Sequence, residues 1–152
     1  MLFMILASAA LFGHAVTIIR LPIEIVEQVT ALGLSPAMFI VVVMLLVLVL
    51  GMFLETISII LITTPIVFPV MIALGIDPIW YGILLMINLE LALITPPVGM
   101  NLFVIKGIAK APLSDVIRGA LPYATLMLLG LVIVFAFPAL ATWLPRVAGF
   151  GG

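Results

Sequence analysis

The stretch Asn88 to Asn101, NLELALITPPVGMN, sets two consecutive prolines, a glycine, two asparagines and a carboxylate in a run otherwise apolar enough to lie in a bilayer. Pro96 and Pro97 have no backbone N–H, so a continuous helix would leave the carbonyls of Ala92 and Leu93 without donors. Thr95, preceding a proline, is pushed out of the α region. The stretch therefore predicts a broken helix. Lipid offers no hydrogen bonds, so irregular backbone at membrane depth persists only where it is buried in protein or lines a wet cavity, and such breaks mark ion and substrate sites in transporters. The freed oxygens call for another donor or a cation.

Composition places the break in a membrane protein. The chain is 67% hydrophobic and 7% charged, whereas soluble domains are about half apolar and about a quarter charged. A net charge of −1 with scattered basic residues argues against nucleic acid and against a polybasic lipid patch. Cysteine is absent and His14 is the only histidine, which excludes disulfides, thiolate metal sites and a histidine cluster. No P-loop, nucleophile–base pair or metal-ligand cluster is visible, so an enzyme is not expected, nor is a cofactor.

Working outward, residues 1–19 lack the basic lead of a signal peptide and are as long as a membrane span, so they predict a retained transmembrane helix. Their abrupt apolar start leads us to expect a chain that begins partway through a larger protein. Residues 20–35 place Ile23, Val26, Val29 and Leu32 at spacing three, opposite Glu24, Glu27, Gln28 and Thr30, the pattern of a short interfacial helix. Ser35 and Pro36 suit the cap and first turn of the next helix.

Between the apolar runs on either side of Glu55, Thr56 and Ser58 there is no polar loop. A re-entrant hairpin over residues 36–75, its tip inside the protein, explains this better than two ordinary spans. Thr63-Thr64-Pro65 and Pro69 should bend its second limb, and Gly75-Ile76-Asp77-Pro78 is a turn. Residues 78–108 as one helix would be roughly 45 Å long, more than the ~30 Å hydrocarbon core. A break at 95–99 resolves the excess. Lys106, Lys110 and Arg118, opposed only by Asp115, make 109–120 a cytoplasmic loop by the positive-inside rule, with a final transmembrane helix over 121–145. Trp80, Tyr81 and Trp143 fit aromatic belts.

Glu55 at the tip either meets a cation, donor or water, or reaches the headgroups as a helix cap. Thr56 and Ser58 add hydroxyls, and the start of the second limb offers free N–H groups to an anion. Asn88, Glu90 and Asn101 flank the double proline. They either serve substrate or ion coupling, or the asparagines only satisfy freed backbone groups and Glu90 is neutral and buried. Carbonyl, hydroxyl and amide oxygens are hard ligands suited to alkali cations.

GMFLETISIILITTPIVFP (51–69), GIDPIWYGILLMINLELALITPPVGMNLFV (75–104) and FPALATWLP (137–145) together resemble the large membrane subunit of tripartite ATP-independent periplasmic (TRAP) transporters, over roughly its last third. The resemblance implies an all-α membrane protein, the C-terminal inverted-repeat half of an elevator-type transporter, in which a hairpin tip and a broken helix meet around sodium. Carried over by position, Thr56 and Thr95 would supply side-chain oxygens, and Pro96, Pro97 and Gly99 the backbone, of a sodium site. Asn101 would steady the second half-helix. The implied function is sodium-driven uptake of a small organic acid, C4-dicarboxylate or sugar-acid like, across the bacterial inner membrane. Its partners would be a periplasmic binding protein, a small membrane subunit and the remaining N-terminal part of the subunit. The alternatives are a proton-coupled carrier or channel half using Glu55 and Glu90, or a non-transporting membrane assembly module.

Overall fold

The chain is helical wherever it is regular. The computed structural model describes residues 2–149, and among these residues there are eight α-helices and no strand. The helices fall into two units, Met1–Val43 with Leu54–Pro78 and Met44–Phe53 with Ile79–Gly152.

In the first unit, α1 (Leu2–Ile18) and α2 (Leu21–Ala31) both pack on α4 (Thr56–Ala73). The chain turns by 57° between α1 and α2, at Arg20, whose φ of 56° is left-handed. Pro22 lies in the first turn of α2, where a missing N–H is cheap. Of the apolar positions at spacing three over residues 20–35, Val29 is buried, Val26 half-buried, and Ile23 and Leu32 exposed. α4 buries Ile59, Thr63, Val67, Val70 and Met71, one face of a helix that is apolar all round. It runs on through Pro65 and Pro69 without interruption. Gly13 of α1 lies against Pro65, so that a Cβ there would stand 3.3 Å from the proline Cγ. The helix α3 (Pro36–Gly51) begins as its sequence suggests, with Met38 N donating to the Ser35 hydroxyl at 3.3 Å. Four residues, Met52 to Glu55, separate it from α4.

The second unit holds α5 (Pro78–Leu93), α6 (Met100–Ala109), α7 (Leu113–Ala136) and α8 (Ala139–Val147). α5 buries Tyr81, Leu84, Asn88, Leu91 and Ala92 at three- and four-residue spacing. α6 packs on α7, and α7 on α8.

Two expected boundaries are displaced. The loop expected over 109–120 is helical from Leu113 onward, because Pro112 occupies the cap position and its carbonyl accepts from Asp115 N at 3.1 Å and Val116 N at 3.3 Å. The final helix expected over 121–145 is two helices, parted at Phe137 and Pro138. Phe137 precedes a proline and leaves the α region, with φ −124° and ψ 77°. Pro138 cannot donate to the carbonyl of Val134, and the indole Nε1 of Trp80 does so instead, at 2.9 Å. The Trp80 ring stacks on Phe135 with centroids 5.7 Å apart. Trp80, expected in an aromatic belt, thus carries a specific donor role. Trp80→Phe keeps an aromatic ring and strands the carbonyl, a loss of about 1 kcal/mol. Melting in detergent should show it, and adding Pro138→Ala, which restores a backbone donor, should recover part of the loss.

Much apolar surface lies open, from Phe3 and Leu11 on α1 to Leu126, Leu129 and Val132 on α7. Val116 is the one buried residue of α7. α4 and α7 are each long and apolar enough to cross a membrane, as is the bent α1–α2 pair if it forms one span. Exposed apolar area on this scale fits a lipid or protein environment and not water.

Candidate ion site at the broken helix

α5 stops at Leu93 and α6 restarts at Met100. The last turn before the break is tightened, with Ile94 N donating to Leu91 O and Thr95 N to Ala92 O, both at 3.2 Å. Ala92, one of the two carbonyls that the prolines deprive, is therefore served by a shorter-range bond. Leu93 has no such recourse from its helix, since its third and fourth successors are Pro96 and Pro97, which carry no N–H.

The Thr95 hydroxyl donates to Leu91 O at 2.6 Å. With its proton committed to the helix, it retains only acceptor lone pairs. A half-buried oxygen in that state is suited to a cation. Pro96 and Pro97 are exposed and joined by a cis bond. Gly99 is the cap of α6 with φ 49°, and its carbonyl accepts from Leu102 N at 2.8 Å. A Cβ on Gly99 would come within 2.9 Å of both the Thr95 carbonyl oxygen and Leu102 Cδ1, and Leu102 is itself buried. Glycine is therefore required by conformation and by space. The break sets the carbonyl end of α5, partially negative, beside the N–H end of α6, partially positive. Such an arrangement can take a hard cation on oxygen donors and a carboxylate on free N–H groups.

The flanking polar residues separate in character. Asn88 is 1% exposed, and its amide Nδ2 donates to Met44 O of α3 at 2.8 Å. It ties two helices together, with a partner 44 positions away that no local pattern announces. Asn88→Leu should lower the melting temperature by the equivalent of about 1 kcal/mol, read by thermal unfolding in detergent. Glu90, one turn before the break, is exposed on α5, and Asn101 is half-buried in the first turn of α6.

The second polar group lies in the first unit. Glu55 occupies the N-cap position of α4 with an extended backbone, φ −75° and ψ 144°, and Thr56 is the first helical residue. The Ser58 hydroxyl donates to Glu55 Oε2 at 3.2 Å. Glu55 and Ser58 are thus brought together side chain to side chain, and the Glu55 carboxylate makes no capping bond to the N–H groups of α4. The groove between α1 and α4 that reaches Ser58 is lined otherwise by apolar side chains such as Met4, Phe12 and Leu61, with Ser8 as its other hydroxyl.

The family model described as the DctM component of the tripartite ATP-independent periplasmic transporter matches residues 1–140. The chain is 46% identical over 147 residues to the C4-dicarboxylate TRAP transporter large permease protein of Vibrio cholerae, covering 97% of this chain and 32% of that protein. It is 48% identical over 149 residues to the corresponding protein of Pseudomonas aeruginosa, covering 98% and 35%. Against the 2,3-diketo-L-gulonate TRAP transporter large permease protein of Escherichia coli it is 38% identical over 133 residues, covering 88% and 31%. The chain thus spans about a third of the length of the curated relatives that it matches.

Proposed function

Because the chain belongs to the DctM, or large permease, family of tripartite ATP-independent periplasmic transporters, we propose that its broken helix carries a sodium site for gradient-driven uptake of a small organic acid. The observation that carries this is the Thr95 hydroxyl, which donates to Leu91 O and keeps its lone pairs for a cation, at a break where α5 ends in carbonyls. Thr95 and the backbone of Pro96, Pro97 and Gly99 supply oxygens. Thr56 is proposed as a ligand on the sequence resemblance alone. Asn101 steadies the start of α6.

The substrate class follows from carboxylates common to the relatives' named substrates, C4-dicarboxylate and 2,3-diketo-L-gulonate. A carboxylate suits the N–H end of a half-helix. We take residues 36–75 as a re-entrant hairpin within an elevator-type carrier of the bacterial inner membrane. Delivery would be by a periplasmic binding protein, with a small membrane subunit and the further length that the relatives possess.

Glu90 favours a second reading. A carboxylate exposed on an apolar membrane helix either pairs with a cation or takes up a proton, and the latter would make the carrier proton-coupled. Uptake of succinate by the complete transporter in proteoliposomes separates the two, with the purified binding protein supplied outside. A sodium gradient should drive accumulation without ATP. Accumulation driven equally by a pH gradient in sodium-free buffer would transfer the coupling to Glu90.

A further inference from the structure

The nine residues of α8 divide into two unlike faces. Leu140, Trp143, Leu144 and Val147 are 63%, 65%, 65% and 69% exposed. On a helix turning by about 100° per residue, their spacing confines them to an arc of about 100°. Ala141 and Thr142 are buried and Pro145 is half-buried, and the same spacing sets these three on the opposite arc. That arc is turned into the protein, where α8 packs on α7. The Thr142 hydroxyl donates to Pro138 O at 3.1 Å, so the inward face satisfies its polar group within the helix. The outward arc carries one polar group, the indole N–H of Trp143. Arg146 is exposed and lies off that arc.

The depth of this face in a bilayer follows from α7. Arg118 is the last charged residue of α7, and residues 119–136 carry none. As helix they extend about 27 Å, close to the ~30 Å of a hydrocarbon core. With Arg118 at one boundary, Ala136 comes to the other, and there the helix is interrupted at Phe137 and Pro138. α8 therefore starts where the hydrocarbon ends. A span continued from residue 119 to Val147 would measure about 43 Å, too long for the core. At the headgroup level the two faces make sense together, because the leucines and the valine can enter the edge of the acyl region while the indole N–H and Arg146 stay among polar groups. A protein partner fits less well. One face of a helix of nine residues falls short of the roughly 800 Å² per partner that a specific interface buries.

We propose that α8 is an interfacial helix, which seats Leu140, Trp143, Leu144 and Val147 at the boundary between headgroups and acyl chains while α7 holds its other face. Trp143 is then one member of an anchoring face.

The proposal rests on the membrane reading above, which is checked first. The purified full chain is mixed with vesicles of dioleoylphosphatidylcholine and floated, and failure to float would defeat that reading and the proposal with it. Trp80 and Trp143 are the two tryptophans of the chain, so subtracting the emission of Trp143→Phe from that of the unsubstituted chain isolates Trp143 and keeps the Trp80 bond to Val134 O. Vesicles are then made with phosphatidylcholine brominated either near the headgroup end or near the middle of its acyl chains. The shallow bromines should quench Trp143 about twofold more than the deep ones. Leu140→Ser combined with Leu144→Ser, both at exposed positions, should cut the shallow quenching by about half and open the indole to acrylamide in the water. Equal or stronger quenching by the deep bromines would overturn the proposal and make α8 part of the span. Protection of Trp143 from bromolipid and acrylamide alike would overturn it in favour of a protein partner, and quenching by acrylamide alone would leave the face in water. Unchanged quenching in the double-serine chain would also overturn it, since the face would not be what holds the helix at the surface.

Discussion

Gly99→Ala is expected to abolish sodium-driven uptake, by about 100-fold or more, when placed in the complete permease. Two costs act at once. The backbone at Gly99 has φ 49°, and a side chain in the left-handed region costs about 1–2 kcal/mol. The added carbon would also stand 2.9 Å from the Thr95 carbonyl oxygen and 2.9 Å from Leu102 Cδ1. Leu102 is buried and cannot swing aside, and the carbonyl is backbone, so relief requires moving the loop that presents the proposed ligands. Gly75→Ala is the control. Gly75 has φ 69°, and a Cβ added there would meet nothing within 4 Å, so alanine incurs the conformational cost alone and should leave uptake within a fewfold of the original. Equal losses at the two positions would mean that the loop is not geometrically committed.

The second large effect is at Thr95. Thr95→Val preserves shape and removes the hydroxyl, and Thr95→Ser preserves the hydroxyl and removes a methyl. Leu91 O keeps its bond from Ile94 N at 3.2 Å when the 2.6 Å bond from Thr95 is lost. The structural loss should therefore stay near about 1 kcal/mol. Loss of an ion ligand is larger, and the half-saturating sodium concentration for succinate uptake should rise by about tenfold or more in Thr95→Val, the equivalent of about 1.4 kcal/mol. Thr95→Ser should restore most of the affinity. A fall in maximal rate with unchanged sodium dependence would reduce Thr95 to a helix-end bond.

How far these features are legible in sequence depends on whether their cause is local. The break is local. Pro96 and Pro97 remove two donors, Thr95 precedes a proline, and Gly99 allows a left-handed cap, so the interruption between Leu93 and Met100 can be read without coordinates. The cap at Ser35 and Pro36 is legible for the same reason. Asn88 is different, because its chemistry is set by Met44 O, and nothing within several residues of Asn88 says that α3 passes there. Trp80 reads by residue type as a membrane-surface aromatic, yet its indole answers the Val134 carbonyl that Pro138 leaves without a donor, 54 positions away. A signal is present in Phe137-Pro138, which marks a helix boundary by the same rule that marks Thr95-Pro96. The long apolar run masks it.

Within the site, the backbone is better determined than the carboxylates. Gly99 and Thr95 have stated geometric jobs in the loop. Glu55 accepts from the Ser58 hydroxyl at the start of α4, and Glu90 is exposed on α5, so each is judged by a coupling experiment more than by its contacts.

The most direct measurement is of sodium itself. Isothermal titration of the purified complete permease with sodium chloride, against matched titrations with potassium and choline chloride, should give a saturable heat for sodium alone. That heat should vanish in Thr95→Val and return in Thr95→Ser. Identical heats for the three salts, or full retention of the sodium heat in Thr95→Val, would contradict the assignment of the ion to the broken helix.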